Sequence, residues 1–351
     1  MTNNFEINGR RIYSNEPPYI IAEVSANHNG SLQRALKTIK AAKESGVDAV
    51  KIQTYTPDTM TIDVSMDDFV IHEGLWKGRT LYGLYGEAYT PFEWHKELFE
   101  YAKAIGVTLF SSPFDESAVD LLQSLNAPAY KIASFELVDL PLIAYVAKTK
   151  KPMLMSTGMA SIDEIREAVE TAKANGCESL AIFHCISSYP APLDQANVHA
   201  ITKLRDEFGV QVGLSDHTLG NIASIVATSL GATVIEKHFT LSRSGGGVDS
   251  AFSLEPTEMK TLVQATRDAH AALGLGSKVR SDVEVQNKIF RRSLYFVSDI
   301  EQGEIITSEH VRRIRPGFGL AAKHYSDVIG STCLQYARRG DRVTFKHFKQ
   351  D

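Results

Sequence analysis

The residues best equipped for chemistry fall in short groups spread along the 351-residue chain. Lys51 and Gln53 stand two apart in AVKIQTY, and Glu236 and His238 stand two apart in TVIEKHF. Lys131, Ser134 and Glu136 share YKIASFE, and Ser215 and His217 flank Asp216 in VGLSDHTLG. Lysines with serine hydroxyls suit a phosphate or a carboxylate, because ionised donors make the stronger hydrogen bonds. Two histidines completed by water and substrate oxygens suit Mn²⁺ or another hydrated divalent ion. Carboxylates such as Glu23 and Glu136 suit proton transfer or the positioning of water. Taken singly, each residue has a plainer reading. A strand lysine snorkels at an edge, and a lone histidine packs in a core or faces solvent. His28 stays open between a ligand-facing and a solvated role. Cys177, Cys185 and Cys333, with no C-x-x-C spacing, read as core filler.

The chemical reading requires elements that bring these groups together. Eight apolar, β-branched runs recur at 19–24, 49–55, 107–112, 129–134, 152–157, 180–185, 210–215 and 233–239. Each is apolar on both faces for most of its length, as strands covered on both sides are. Between them lie helical patterns such as 32–45, 161–175 and 221–230, with Ser161 and Glu164 spaced as a capping box. Gly46, Gly106, Gly176 and Gly231 each follow a helical pattern, where a left-handed residue ends the helix. Eight such units predict a (β/α)8 TIM barrel; a doubly wound open sheet is the alternative. The polar residues then lie at the C-terminal ends of the strands, on the face where such barrels place their sites. Residues two apart share a side of a strand, so Lys51 and Gln53 converge with Glu236 and His238 if that side faces the axis.

Two further segments stand out. The connection at 56–90 is long and rich in aromatics and glycine, which predicts a lid or binding loop. After the helical pattern at 256–273, the small polar run 274–284 reads as a linker. The runs RSLYFVS, EIITSEHVRRI and DRVTFKHF then predict a small β-rich domain, giving a division into 1–280 and 281–351. Such a unit is stable only with help from the barrel or a second subunit.

Composition narrows the function classes. A net charge of −5 gives no footprint for nucleic acid or an anionic membrane. Hydrophobic content of 43% and charged content of 23% are those of an ordinary soluble enzyme. No apolar run approaches the ~20 residues of a spanning helix. The N-terminal text has no apolar signal region, so a reduced, cytoplasmic protein is expected.

IAEVSANHNGS, AVKIQTY, FSSPFD, YKIASFE, MSTGM, FHCISSYPAP, VGLSDHT and IEKHFT resemble, in order, the motifs of the sialic acid synthases. The C-terminal part is similar to the SAF, or antifreeze-like, domain, with RPGFG at 315–319 as its signature. The stretches GGVDSAFSLEP and LWKGRTLYGLYGEAYTP are similar to the pseudaminic acid branch of that family. The resemblance implies a condensation of phosphoenolpyruvate with a 2,4-diacetamido-2,4,6-trideoxy-altrose-type sugar, with C–O cleavage and release of phosphate. A neuraminate or legionaminate synthase using another N-acetylated sugar is the nearest alternative.

The resemblance also implies roles. Lys51, Ser112, Lys131, Ser134, Ser156 and Ser215 match positions that hold the phosphate and carboxylate of phosphoenolpyruvate. Ser187 matches a position that is Asn in the neuraminate branch. His217 and His238 match ligands of a divalent ion, Mn²⁺, Mg²⁺ or Co²⁺. Gln53, Glu136, Tyr189 and Asp249 match positions facing the acceptor sugar. Arg315 matches the arginine that one subunit inserts into the other's active site, which implies a domain-swapped homodimer. Glu23 and Glu136 are the candidates for proton handling, and Asp216 is expected to orient the rim. Two readings from other classes are a Schiff-base aldolase using Lys51 or Lys131, and a binding module built on the antifreeze-like part.

Overall fold

The computed structural model describes residues 5–274 and 282–349. The chain divides into two compact units, Met1–Gly274 and Leu275–Asp351. Most of the expected linker lies outside the described residues, and helix begins again at Asp282.

A two-stranded hairpin, β1 (Glu6–Ile7) and β2 (Arg10–Arg11), opens the first unit. Eight parallel strands follow: β3 (Tyr19–Glu23), β4 (Ala49–Thr54), β5 (Thr108–Pro113), β6 (Tyr130–Ile132), β7 (Met153–Ser156), β8 (Leu180–Cys185), β9 (Gln211–Asp216) and β10 (Val234–His238). They pair in chain order, and β10 pairs with β3 to close the barrel. That pairing excludes the open sheet. The helices between and after them are α1 (Leu32–Glu44), α2 (Pro57–Met60), α3 (Leu81–Ala88), α4 (Phe92–Ile105), α5 (Glu116–Ser124), α6 (Leu140–Ala147), α7 (Ile162–Ala174), α8 (Ala200–Phe208), α9 (Ile222–Ser229) and α10 (Pro256–Leu273). The capping box at Ser161 and Glu164 starts α7, and Gly106, at φ 71°, ends α4.

The double-sided apolar character of the strands has a direct use. Outward residues such as Ile20, Val50, Ile52 and Ile132 pack under the helices. Inward residues, among them Tyr19, Ile21, Ala49, Phe110, Leu154, Phe183 and Val234, form a separate apolar layer inside the barrel. Phe5, Ile7 and Ile12 of the hairpin region join that inner layer and close it from below. Gly213 belongs to it by having no side chain. A Cβ there would lie 2.7 Å from the Val234 carbonyl oxygen and 3.0 Å from the Phe183 ring.

The long connection between β4 and α4 is built of α2, a bridge between Val70 and Thr80, and α3. In the second unit, α11 (Asp282–Gln286) leads to an antiparallel pair, β11 (Ser293–Phe296) and β12 (Val311–Ile314), with α12 (Tyr325–Val328) beyond it. Its core gathers Leu294, Phe296, Ile300, Ile306, Val311 and Val343. The run expected as a strand at 341–348 instead makes a single bridge, Arg342 to Tyr295, and then a short 3-10 turn. There the Thr344 hydroxyl and the His347 ring nitrogen, 2.9 Å apart, bond to each other and cap the turn, which competes with strand pairing.

Candidate active site

Two residues above the apolar layer, the same inward alternation changes character. Ile21 is followed by Glu23, Ala49 by Lys51, Phe110 by Ser112, Ala129 by Lys131, Leu154 by Ser156 and Val234 by Glu236. Register brings them together, since Glu23 is the cross-strand partner of Lys51, and Ser215 of Glu236. Lys51 Nζ lies 2.7 Å from Glu23 and 3.4 Å from Glu236, and it donates to Ser112 Oγ at 3.1 Å. Lys131 Nζ lies 3.6 Å from the same Glu236 oxygen and donates to Ser156 Oγ at 2.6 Å. Ser215 Oγ also donates to that oxygen at 3.3 Å, and Gln53 donates to Glu23 at 3.1 Å. Two ammonium groups and two carboxylates thus sit buried at the floor of one cavity.

Burial penalises each of these charges, and the neighbours decide the outcome. It raises the Glu23 carboxyl to about 7, with Lys51 opposing. Burial also disfavours charge on Glu236, but Lys131 and Lys51 outweigh it and hold that carboxyl below its ordinary value. Lys51 is treated likewise: burial lowers it, and Glu23 and Glu236 more than restore it. Burial prevails at Lys131, whose ammonium titrates below its ordinary value.

His217 and His238 stand above this floor, with ring centroids 5.4 Å apart. His217 Nδ1 donates to the Ile186 carbonyl at 2.9 Å, which leaves Nε2 with its lone pair. Burial lowers His217 to about 4 and takes His238 well below its usual value, so both rings are neutral at pH 7. The buried Nδ1 of His238 has no hydrogen-bond partner. Neutral imidazoles, one oriented through its other nitrogen, fit the first ligands of a divalent ion. Among the described residues no three His, Cys, Asp or Glu side chains form a complete ligand group, so the remaining donors would be water and substrate.

The cavity above has a volume of about 340 Å³. Ser134, Glu136, Tyr189 and Asp249 line it, as do Lys51, Gln53, Lys131, Ser156 and Ser215. Burial raises Glu136 to about 7, and its buried Oε2 has no partner. The Tyr189 ring lies 4.4 Å from His217 and 5.9 Å from Trp76. Two expected residues stand one step back. Ser112 touches Lys51 without lining the cavity, and Ser187 bonds Ser134 Oγ at 2.8 Å from behind. Arg315 belongs to the second unit.

Asp216 does not orient the rim. One residue on from Ser215, it points out of the barrel, where it pairs with Lys237 at 2.8 Å and accepts from Thr218 and Ser224. His184 likewise turns outward and donates to the Ala196 carbonyl at 2.8 Å. His28 is buried beside Trp94 and accepts from the Gly30 N–H, outside the cavity lining. Some lining groups carried no assigned role. Glu236 converges on the mouth with His238, as their two-residue spacing predicts, and there it holds both lysines. Ser25, at φ 45°, donates to Asp249, whose carboxyl burial raises. Cys185, expected as core filler, is buried but also lines the cavity, with its thiol pushed up by burial.

Residues 38–278 match the NeuB family and 291–349 match the SAF domain. The chain is 45% identical over 331 residues to a pseudaminic acid synthase of Campylobacter jejuni, covering 94% of this chain and 96% of that one. It is 38% identical to an N,N'-diacetyllegionaminic acid synthase of Legionella pneumophila, covering 99% and 100%. The crystal structure of an N-acetylneuraminic acid synthetase from Leptospira borgpetersenii, in complex with citrate, superposes with a TM-score of 0.73. That pair is 29% identical, covering 81% of this chain and 94% of the other.

Proposed function

The chain belongs to the NeuB family, and we propose that this enzyme condenses phosphoenolpyruvate with a 2,4-diacetamido-2,4,6-trideoxy-altrose-type sugar to give pseudaminic acid and phosphate. The observation that carries the proposal is the pair of buried ammonium groups, Lys51 and Lys131, with Ser156 and Ser215 at the floor of a cavity whose rim holds two neutral imidazoles. The similarity to pseudaminic acid synthases supports the choice of acceptor.

Lys51 and Lys131 hold the anionic donor, and the apolar barrel wall beneath them strengthens that attraction. Ser134, Ser156 and Ser215 supply hydrogen bonds, and Ser112 holds the Lys51 ammonium. Gln53, Tyr189 and Asp249 orient the acceptor so that its aldehyde carbon meets carbon 3 of phosphoenolpyruvate. His217 and His238 would hold a divalent ion such as Mn²⁺, which when bound polarises the acceptor carbonyl. Water then adds at carbon 2, and phosphate leaves with the bridging oxygen. Glu23 and Glu136, both titrating near 7, hold or release the protons this requires.

The same reading makes the protein a homodimer in which Arg315 of one subunit reaches the barrel mouth of the other. Two features support it. Exposed apolar side chains follow β6, β7, β8 and β9: Phe135 and Met159 are 59% and 61% exposed, Leu193 and Leu219 51% and 62%. The two units also differ in charge. Residues 1–274 carry 33 acidic and 23 basic side chains, and residues 275–351 carry 9 and 14.

Purified protein with Mn²⁺ and phosphoenolpyruvate should release phosphate with the pseudaminate acceptor faster than with the legionaminate or N-acetylneuraminate acceptor. Faster release with either of the others overturns the assignment. Trapping of pyruvate by borohydride on Lys51 or Lys131 would instead favour the Schiff-base class.

A further inference from the structure

The charged lining of the cavity has a restricted origin. Every charged lining side chain comes from a barrel strand or from the loops after β6, β9 and β10. The segment between β4 and α4 supplies a wall of Met60, Ile71, Trp76, Leu81, Leu84 and Tyr85, none of them charged, and Trp76 brings it up to Tyr189 beside His217. Its polar groups are largely committed elsewhere. The Trp76 indole N–H donates to the Val248 carbonyl at 3.1 Å. At the start of α3, the Gly83 and Leu84 N–H groups bond to the Thr80 hydroxyl and carbonyl. The Tyr85 hydroxyl is the exception, and burial, with the Glu136 charge adding to it, raises its titration above the ordinary value. The wall is also braced, since the Tyr85 ring meets Tyr55 edge-on at 5.9 Å and Tyr55 meets Phe114 at 5.2 Å.

A hydroxyl pressed against the Ile71 and Leu81 part of this surface loses its water and gains no partner, whereas a methyl group loses nothing. We propose that the 60–85 wall is a specificity surface that receives the deoxygenated end of the acceptor, its terminal methyl group, and rejects acceptors bearing a terminal hydroxyl. The proposal rests on the reading above for orientation. With the carbonyl held beside His217 and His238, the far end of the sugar points away from the lysine floor and toward this wall. Leu81 and Ile71, both part-exposed, are the residues through which it acts. Apolar walls discriminate modestly, so the expected preference is about 10- to 100-fold in kcat/KM.

The test compares the diacetamido-trideoxyhexose with the same sugar carrying a hydroxyl on carbon 6, using wild type, Leu81→Asn and Ile71→Thr. Wild type should prefer the deoxy sugar by the factor given. Each variant should bring the ratio several-fold closer to one while its thermal midpoint stays within a few degrees. A wild-type ratio near one overturns the proposal whatever the variants do. Turnover with an unmoved ratio in either folded variant also overturns it and leaves the condensation standing. No turnover with either sugar removes both.

Discussion

Inside the barrel, two layers two residues apart on the same strands obey opposite rules. The lower layer, with Ile21, Ala49, Phe110, Leu154 and Val234, is fully buried and apolar. The upper layer places Glu23, Lys51, Ser112, Ser156 and Glu236 on those strands, nearly as deeply buried. Burial stabilises the first, by about 25 cal/mol per Å² of apolar surface. For the second, desolvation is the largest influence on all four charged groups, and only mutual pairing offsets it. A chain selected for stability alone would continue the apolar layer upward. The upper layer is what binding a charged ligand would require.

Lys131→Met should separate the layers most sharply. Methionine keeps the volume and removes the cation. Because burial already depresses the Lys131 ammonium and Glu236 keeps Lys51 at 3.4 Å, the folded chain should lose little. Phosphate release should fall by about 10⁴-fold in kcat/KM, on the order of 5 kcal/mol of transition-state stabilisation, with a thermal midpoint close to wild type. Retained activity would show that the floor does not bind the donor. Phe110→Ala, in the lower layer, should do the reverse. It should cost about 3–5 kcal/mol in a urea titration while kcat/KM of the folded enzyme stays within a few-fold. An activity loss comparable to that of Lys131→Met would mean the layers are not separable.

These layers were unequally legible in the sequence. All eight strands were readable because helices cover one face and the inner layer the other, leaving continuous apolar runs. Period-two alternation correctly put Lys51 with Gln53 and Glu236 with His238. The same rule should have turned Asp216 away from Ser215, and the outward Asp216–Lys237 pair is what it produces. The floor hairpin also left a sign. Asn8-Gly9, both at positive φ, is the favoured two-residue turn between Ile7 and Arg10. The contact of Ser25 with Asp249 joins residues 224 positions apart, and no local pattern encodes it. The composition of 56–90 announced a binding loop, but which of its aromatics face inward depends on the Val70–Thr80 bridge and on Trp76 reaching Val248.

The smallest expected effect lies above both layers, at Glu136, and it tests whether the cavity penalises charge beyond the lysine floor. Burial raises this carboxyl to about 7, so the folded state binds its proton more tightly than the unfolded chain does. The sign follows from linkage. Between the ordinary carboxylate range and about 7 the folded protein holds more protons, so raising the pH through that window destabilises it. Below the window the penalty is absent, and above it the penalty is complete. Glu136→Gln removes the titration, and Glu23, raised the same way, contributes equally to both proteins and cancels in their difference. Chemical denaturation at pH 5 and pH 8 should therefore show the variant gaining on wild type by about 2–3 kcal/mol as the pH rises. A difference that stays flat, or that reverses, would place the Glu136 carboxylate in a solvated or cation-paired setting and end its similarity to the buried carboxyl of Glu23.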